Sequence, residues 1–260
     1  MSSTANIADS NLPQQMQQHT YSIMYQIEGS HWWFAGRRQI IATFLESIFK
    51  NFPSGKPQIL DVGCGTGANL ELLGEYGDAQ GVDVSTDALQ FCRDRGLNSV
   101  RLGEAEKLPF ADESFDLVTG LDVVEHLDDD LAGLREMRRV LRPGGHALLF
   151  VPAFMFLWGV QDDVSNHRRR YTMSELKQAV QAAGFEIERA TYANITFFMP
   201  ILLGRLLMKL TGFRPASENN LTVGVLNKPL GMILGAERFC LRNFNLPSGV
   251  SAICVARRPD

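Results

Sequence analysis

No run of ~18 uncharged apolar residues occurs in this chain of 260 residues, so no ordinary membrane-spanning helix is expected. An excess of basic charge is also missing. Lys and Arg number 25 against 29 Asp and Glu, and a net charge of −4 leaves no footprint for a nucleic-acid binder. Cysteine is scarce: Cys64, Cys92, Cys240 and Cys254 have neither metal-ligand nor redox spacing. That excludes a zinc ribbon or a disulfide framework and points to reduced thiols in a cytoplasmic protein. The first residues are polar and Gln-rich without an apolar segment, so no secretory leader is expected. Internal repeats are absent.

What is present is globular composition, 45% hydrophobic and 21% charged. Residues 1–18 read as a flexible tail, 19–57 as a helical cap with an aromatic cluster and a helix over 36–50, and 58–260 as one α/β domain. Strands are predicted at 58–62, 79–83, 99–102, 115–120, 146–151, 186–192 and 250–257. Helices are predicted between them at 68–76, 86–95, 129–141 and 174–183. Ser85 can cap the second of these, and Thr172 with Glu175 forms a capping box before the fourth. Pro143-Gly144-Gly145 stops the third. Strands alternating with helices imply a mostly parallel sheet covered on both faces, with ligands at the carboxyl ends of its strands. Residues 193–249 are too many for a direct connection. They hold two strongly apolar stretches with sparse cations, 195–210 and 226–239, and read as an inserted helical cover.

The first strand runs into "LDVGCGTG", residues 60–67. Gly63, Gly65 and Gly67 allow a tight turn and a close backbone approach to a ligand. Asp83, at the end of the second strand, can accept both hydroxyls of a ribose. "GCGTGA" also satisfies the permissive dinucleotide pattern, which keeps a nicotinamide-dependent oxidoreductase as an alternative. Asp61, two residues before the first glycine, favours a ligand with a cationic amino-acid group, which S-adenosylmethionine has and NAD lacks.

At these residues the chain resembles the class I S-adenosylmethionine-dependent methyltransferases. "LDVGCGTG", "GVDVS" at 81–85, "GEAEKLPFADESFDLV" at 103–118 and "RVLRPGG" at 139–145 match that family's motifs in order and in register over 58–151. The resemblance implies an α/β fold, a Rossmann-like seven-stranded sheet whose last strand is antiparallel, with the helical insertion before that strand. It implies that Asp61, Gly63, Cys64 and Gly65 line the methionine part of the cofactor and that Asp83 and Val84 hold the ribose. It also implies that Glu104 and Ala105 face the adenine and that Leu121 lies along the ligand. Glu104 replaces the family's more frequent aspartate.

The flanks resemble one bacterial subgroup, through "E-x-x-H-W-W-F-x-x-R-R" at 28–38, "W-x-x-x-D-x-x-x-x-H-x-R-R-Y-T" at 158–172 and "L-P-x-G-V-S" at 246–251. Adjacent aromatics cannot all face one way on a helix. Against the plainer reading of a packed helix face, at least one of them is expected to cover the cofactor, with Trp33 the choice made here, and Arg37 or Arg38 to meet its carboxylate, with Arg37 preferred. His126 and His167 are the candidate general bases for a hydroxyl acceptor. Arg170 and Tyr171 are assigned to an anion clamp on the acceptor, against the plainer reading of a solvated loop. Asp122, Glu125 and His126 share one face of a helical turn and could hold a divalent metal, a reading that is not favoured here.

The expectation is methyl transfer to a small or amphiphilic acceptor, lipid-linked in one version, with an oxygen as the favoured nucleophile. No nucleic-acid partner is expected. Contact with the inner face of the cell membrane through 195–210 is weighed equally with burial of that helix on the domain or in a dimer. A protein that binds S-adenosylmethionine without turnover is the other alternative.

Overall fold

The computed structural model describes residues 18–50, 52–53, 55–212 and 224–260. Residues 1–17 of the tail predicted over 1–18, and the middle of the predicted insertion, 213–223, lie outside the described residues, and Gln18 opens the first helix. Helices α1 (Gln18–Ile27) and α2 (Trp32–Phe49) precede β1 (Gln58–Val62), α3 (Ala68–Gly74), β2 (Asp78–Asp83), α4 (Thr86–Asp94) and β3 (Val100–Leu102). Next come β4 (Phe115–Leu121), α5 (Asp130–Val140), β5 (Leu141–Pro152), α6 (Val160–Val164), α7 (Met173–Ala182) and β6 (Glu186–Ala193). The chain ends with α8 (Phe198–Thr211), α9 (Asn227–Gly235), α10 (Glu237–Leu241) and β7 (Ser251–Arg257).

The seven strands form one sheet in the order β3-β2-β1-β4-β5-β7-β6, with β7 antiparallel to both neighbours and the first five strands parallel. The final strand is antiparallel, as the resemblance implies, and it enters between β5 and β6. That order differs from the 3-2-1-4-5-6 order of dinucleotide-binding sheets, which removes the structural support for the nicotinamide alternative.

The two faces follow from alternation along the central strands. Leu148 and Phe150 of β5 pack with Ile253 and Val255 of β7 and with Ile40, Phe44 and Leu45 of α2. Ala147, Leu149 and Val151 point the other way and pack with Ala252, Cys254, Leu134, Met137 and Val180. Helix α2 thus covers one sheet face and α5 and α7 cover the other.

Local signals set the helix starts. Ser85 accepts from the Ala88 amide, Asp129 from the Ala132 amide, and Thr172 with Glu175 completes its capping box. Helix α2 begins at Trp32, four residues before the predicted start, because the His31 side chain accepts from the Trp33 amide. The Pro143-Gly144-Gly145 stop falls inside β5, as a register shift against β4 rather than a separate turn.

The insertion is mostly helical where it is described, with an irregular segment after α10 leading into β7. Helix α9 lies against α2 so closely that a Cβ on Gly36 would meet Leu234 at 2.8 Å. Asn227 clasps the start of α2, accepting from the Trp32 amide at 2.8 Å and donating to the Ser30 carbonyl at 2.6 Å. Helix α8 contributes no buried residue.

Candidate active site

The carboxyl ends of β1, β2, β4 and β5 open on a cavity of about 320 Å³, roofed by α1 and the first turns of α2. Its floor is the glycine turn. Gly63, Gly65 and Gly67 have φ values of +68°, +53° and +93°, in the left-handed region that side chains avoid. At Gly63 a Cβ would lie 1.9 Å from Val123, so nothing larger fits. At Gly65 a Cβ would meet nothing within 4 Å and would project into open space on the cavity wall. That open space is a cradle in which a ligand can approach bare backbone.

Asp83 closes one side of the cradle. Its carboxylate accepts from the Gly65 amide at 2.8 Å and from the Ser85 amide at 2.9 Å. Burial pushes its pKa up, and these backbone hydrogen bonds oppose the rise. The pinned carboxylate keeps lone pairs for hydroxyl donors, which fits a ribose. The structure therefore fits S-adenosylmethionine at its ribose and at the glycine turn.

The other cofactor assignments divide. Cys64, Val84, Ala105 and Leu121 line the cavity with Gly63, Gly65 and Asp83. Asp61 is not among the lining residues; it is 1% exposed and accepts from the Thr119 hydroxyl at 2.6 Å. Burial pushes its carboxyl up to about 7 against that hydrogen bond. Glu104 is not on the wall either; Gly103 and Glu106 stand there beside Ala105.

The aromatic entry splits as helix geometry requires. Trp33 and Phe34 line the cavity, while Trp32 turns away to pack on Phe197 with ring centroids 4.7 Å apart. Arg37 also lines the cavity, but its guanidinium is engaged. It pairs with Asp122 at 2.5 Å and lies 4.1 Å over the Phe150 ring.

Sequence reasoning missed the roof. Tyr21 and Met24 of α1 and the adjoining Glu28 line the cavity. Their spacing, continued by Tyr25, was the available helical signal, hidden behind a polar start. Glu28 bonds the Thr66 hydroxyl and pairs with Arg95 at 2.8 Å, tying the roof to the glycine turn. Burial pushes its carboxyl up to about 7, partly offset by Arg95 and Arg38.

At the far end of the cavity stand His126, His167, Arg170, Gln161 and Ser165. His126 and His167 meet edge to face, with ring centroids 4.6 Å apart. Burial, reinforced by the neighbouring His167, pushes His126 down to about 3, so it stays neutral near neutral pH and is a weak proton acceptor. His167 Nδ1 lies 2.8 Å from Asp162 Oδ1. Burial works against the charge of Asp162, but hydrogen bonds from His167 and Arg170 outweigh it and hold the carboxyl down to about 2.

The predicted anion clamp is occupied by the protein itself. Arg170 makes a two-point contact with Asp162 at 2.8 and 2.9 Å and donates to the Ala153 carbonyl. Tyr171 is buried, absent from the cavity wall, and donates to Asp130 at 2.7 Å. Asp122, one of the three weighed metal ligands, is committed to Arg37.

This sheet order, with a glycine cradle and a carboxylate at the second strand end, defines a Rossmann-like fold of the class I methyltransferase kind. Residues 60–149 match the family model described as a methyltransferase domain.

Curated relatives agree over part of their length. Methyltransferase GfsG of Streptomyces halstedii is 38% identical over 42% of this chain and 41% of its own. A relative from Mycolicibacterium smegmatis, named a probable S-adenosylmethionine-dependent methyltransferase, is 33% identical over 50% of this chain and 52% of its own. Demethylmenaquinone methyltransferase of Staphylococcus aureus is 40% identical over 33% of this chain and 39% of its own. The chain thus spans about half or less of the curated relatives it matches.

Solved structures match along nearly the whole chain. A Haloferax volcanii methyltransferase in complex with its Trm112 activator gives a TM-score of 0.62 at 19% identity, covering 96% of this chain and 100% of that one. SpnF, a cyclase, gives 0.54 at 21% identity, covering 96% and 99%. Such likenesses carry the fold alone, and the cyclase is a reminder that chemistry lives in the site.

Proposed function

We propose that this protein transfers a methyl group from S-adenosylmethionine to an oxygen of a small, amphiphilic acceptor presented at a membrane surface. The observation that carries the cofactor half is the cradle of Gly63, Gly65 and Asp83. Asp83 binds the ribose, and Cys64, Val84, Ala105 and Leu121 pack along the ligand. When bound, the cofactor would supply an electrophilic methyl on a sulfonium sulfur, which would become a neutral thioether as the acceptor oxygen takes the methyl and gives its proton to water. The residues of the chain contribute alignment, because the methyl group is already activated. Trp33 and Phe34 exclude water above the cradle, and Tyr21 and Glu28 close its roof. The acceptor hydroxyl meets the protein at His126 and His167, which line the far end of the cavity.

The surface outside that wall supports an amphiphilic acceptor. Met155 and Phe156 follow Pro152 of the cavity wall and are 54% and 59% exposed. Phe156 leads to Phe198 at the start of α8, whose Leu203, Leu207 and Leu210 are also exposed. Helices α8 and α9 carry the exposed Lys209 and Lys228 and no acidic residue, a pattern that suits an anionic lipid surface, whereas Arg205 is turned onto the Leu157 carbonyl. Among the described residues no helix is long and apolar enough to cross a membrane. The relatives named for demethylmenaquinone fit an amphiphilic acceptor.

The test is transfer of labelled methyl from S-adenosylmethionine to a lipid extract by the full chain. Label in the extract with wild type and none with Asp83→Ala supports the reading; equal label with both, or label only in aqueous metabolites, contradicts it.

A further inference from the structure

Glu125 is 0% exposed, and neither of its carboxylate oxygens finds a hydrogen-bond partner on another residue among the described residues. An unpaired polar group in that position costs about 1–3 kcal/mol, and more if charged, so it calls for a partner. The nearest candidates are imidazoles. One carboxylate oxygen of Glu125 and one ring nitrogen each of His126 and His167 lie within 4.8 Å of one another. Atoms bound to one ion at ~2.0–2.2 Å stand roughly 3–4 Å apart, so sub-ångström side-chain adjustments close the set.

The second nitrogens are already spoken for. His167 Nδ1 pairs with Asp162 Oδ1 at 2.8 Å, which leaves Nε2 for the cluster. His126 is hydrogen-bonded to the Ser165 backbone. Imidazoles that bind metals are held in this way, with the free nitrogen aimed and its tautomer set by a carboxylate or main-chain partner.

The charge balance favours a cation. Arg170 faces the cluster but is neutralised by two contacts to Asp162, and Arg37 is neutralised by Asp122. Glu125 is the one carboxylate among the three ligands, and although both guanidinium groups act on it at a distance, neither hydrogen-bonds to it. His126 and His167 line the cavity, so an ion held there would keep open positions toward it.

We infer that Glu125, His126 and His167 form a binding site for a divalent first-row transition ion, whose open positions take the hydroxyl oxygen of the acceptor. Two nitrogens and one carboxylate with vacant positions suit zinc or iron rather than magnesium. The ion would lower the pKa of a coordinated hydroxyl, so its proton leaves to water and neither imidazole has to accept it. The set differs from the sequence reading in one ligand: Asp122 leaves it for Arg37, and His167 joins from a loop 41 residues away. The acceptor part of this inference rests on the proposed methyl transfer, whereas the ligand set does not.

The experiment titrates the chelator-treated full chain with Co²⁺, followed by visible absorption, and with Zn²⁺ by calorimetry. S-adenosylhomocysteine affinity is measured on the same samples. The site predicts one ion per chain. Glu125→Gln, which keeps the shape, and His167→Ala should each weaken binding at least roughly 100-fold, beyond the ~10–100-fold that loss of an outer partner costs. Both variants should retain wild-type thermal unfolding within a few degrees and bind S-adenosylhomocysteine normally, which shows that they fold. No ion bound by wild type, or unchanged binding in both variants, overturns the inference. If S-adenosylhomocysteine still binds in that case, only the metal site falls; if it does not, the methyltransferase reading falls independently.

Discussion

The Asp83 carboxylate and the Gly65 amide meet at 2.8 Å, joining the end of β2 to the floor of the glycine turn. This one contact shapes the cradle and leaves the carboxylate facing the cavity. Replacing Asp83 with Ala removes both the ribose partner and the brace on the turn. S-adenosylhomocysteine affinity should fall at least tenfold by calorimetry, since ribose hydroxyls would be left unpaired. Unchanged affinity would place the ribose elsewhere.

Gly63 tests the turn from the other side. Alanine there must hold a φ of +68° and displace Val123 from 1.9 Å. Backbone strain and overpacking each cost about 1–3 kcal/mol. Gly63→Ala should lose a few kcal/mol of unfolding free energy in urea, and adding Val123→Ala should recover part of it. No recovery would mean that the backbone alone sets the requirement.

Glu28 gives a pH signature. Its folded pKa is raised from 4.5 to about 7 by burial, so the folded chain holds this proton more tightly than the unfolded chain. The associated stability is complete below about 4.5 and is lost as pH rises through about 7. Asp61, raised to about 7 as well, adds to the same slope. The melting temperature of wild type should therefore fall more steeply across that window than that of Glu28→Gln. Parallel curves would remove Glu28 from the account.

Tyr171→Phe separates a structural role from a substrate role. The hydroxyl bonds Asp130 at 2.7 Å, away from the cavity wall. Its loss should cost about 1.5–3 kcal/mol of stability, as for a hydrogen bond to a charged group, with KM for the acceptor unchanged. A raised KM at wild-type stability would restore Tyr171 to the site.

The membrane face can be tested without unfolding risk. Leu207 and Leu210 are 61% and 82% exposed. Leu207→Glu with Leu210→Glu should abolish co-sedimentation with anionic vesicles while leaving S-adenosylhomocysteine affinity intact. Equal pelleting of both proteins would rule out α8 as the contact.

The positions of the strands along the chain and the glycine turn were legible because they are local: each depends on a short run whose spacing states its backbone requirement. Asp83 ends its strand, β2, whereas the Val123 that Gly63 faces lies beyond β4 and could not be read from the turn itself. The roof was illegible because Tyr21 and Glu28 reach the site through pairings with Ser85, Thr66 and Arg95 across the fold. Arg170 and Tyr171 looked like ligand residues because the sequence lists cations and hydroxyls without their partners. Asp162 and Asp130 take them. The same long-range pairing moves Asp122 out of the candidate metal set and brings His167 in.

The most direct measurement is a calorimetric titration of the purified full chain with S-adenosylhomocysteine, alongside NADH. The account predicts saturable one-to-one binding of the former, in the micromolar range or tighter, and none of the latter. Binding of NADH alone, or of neither, would contradict it.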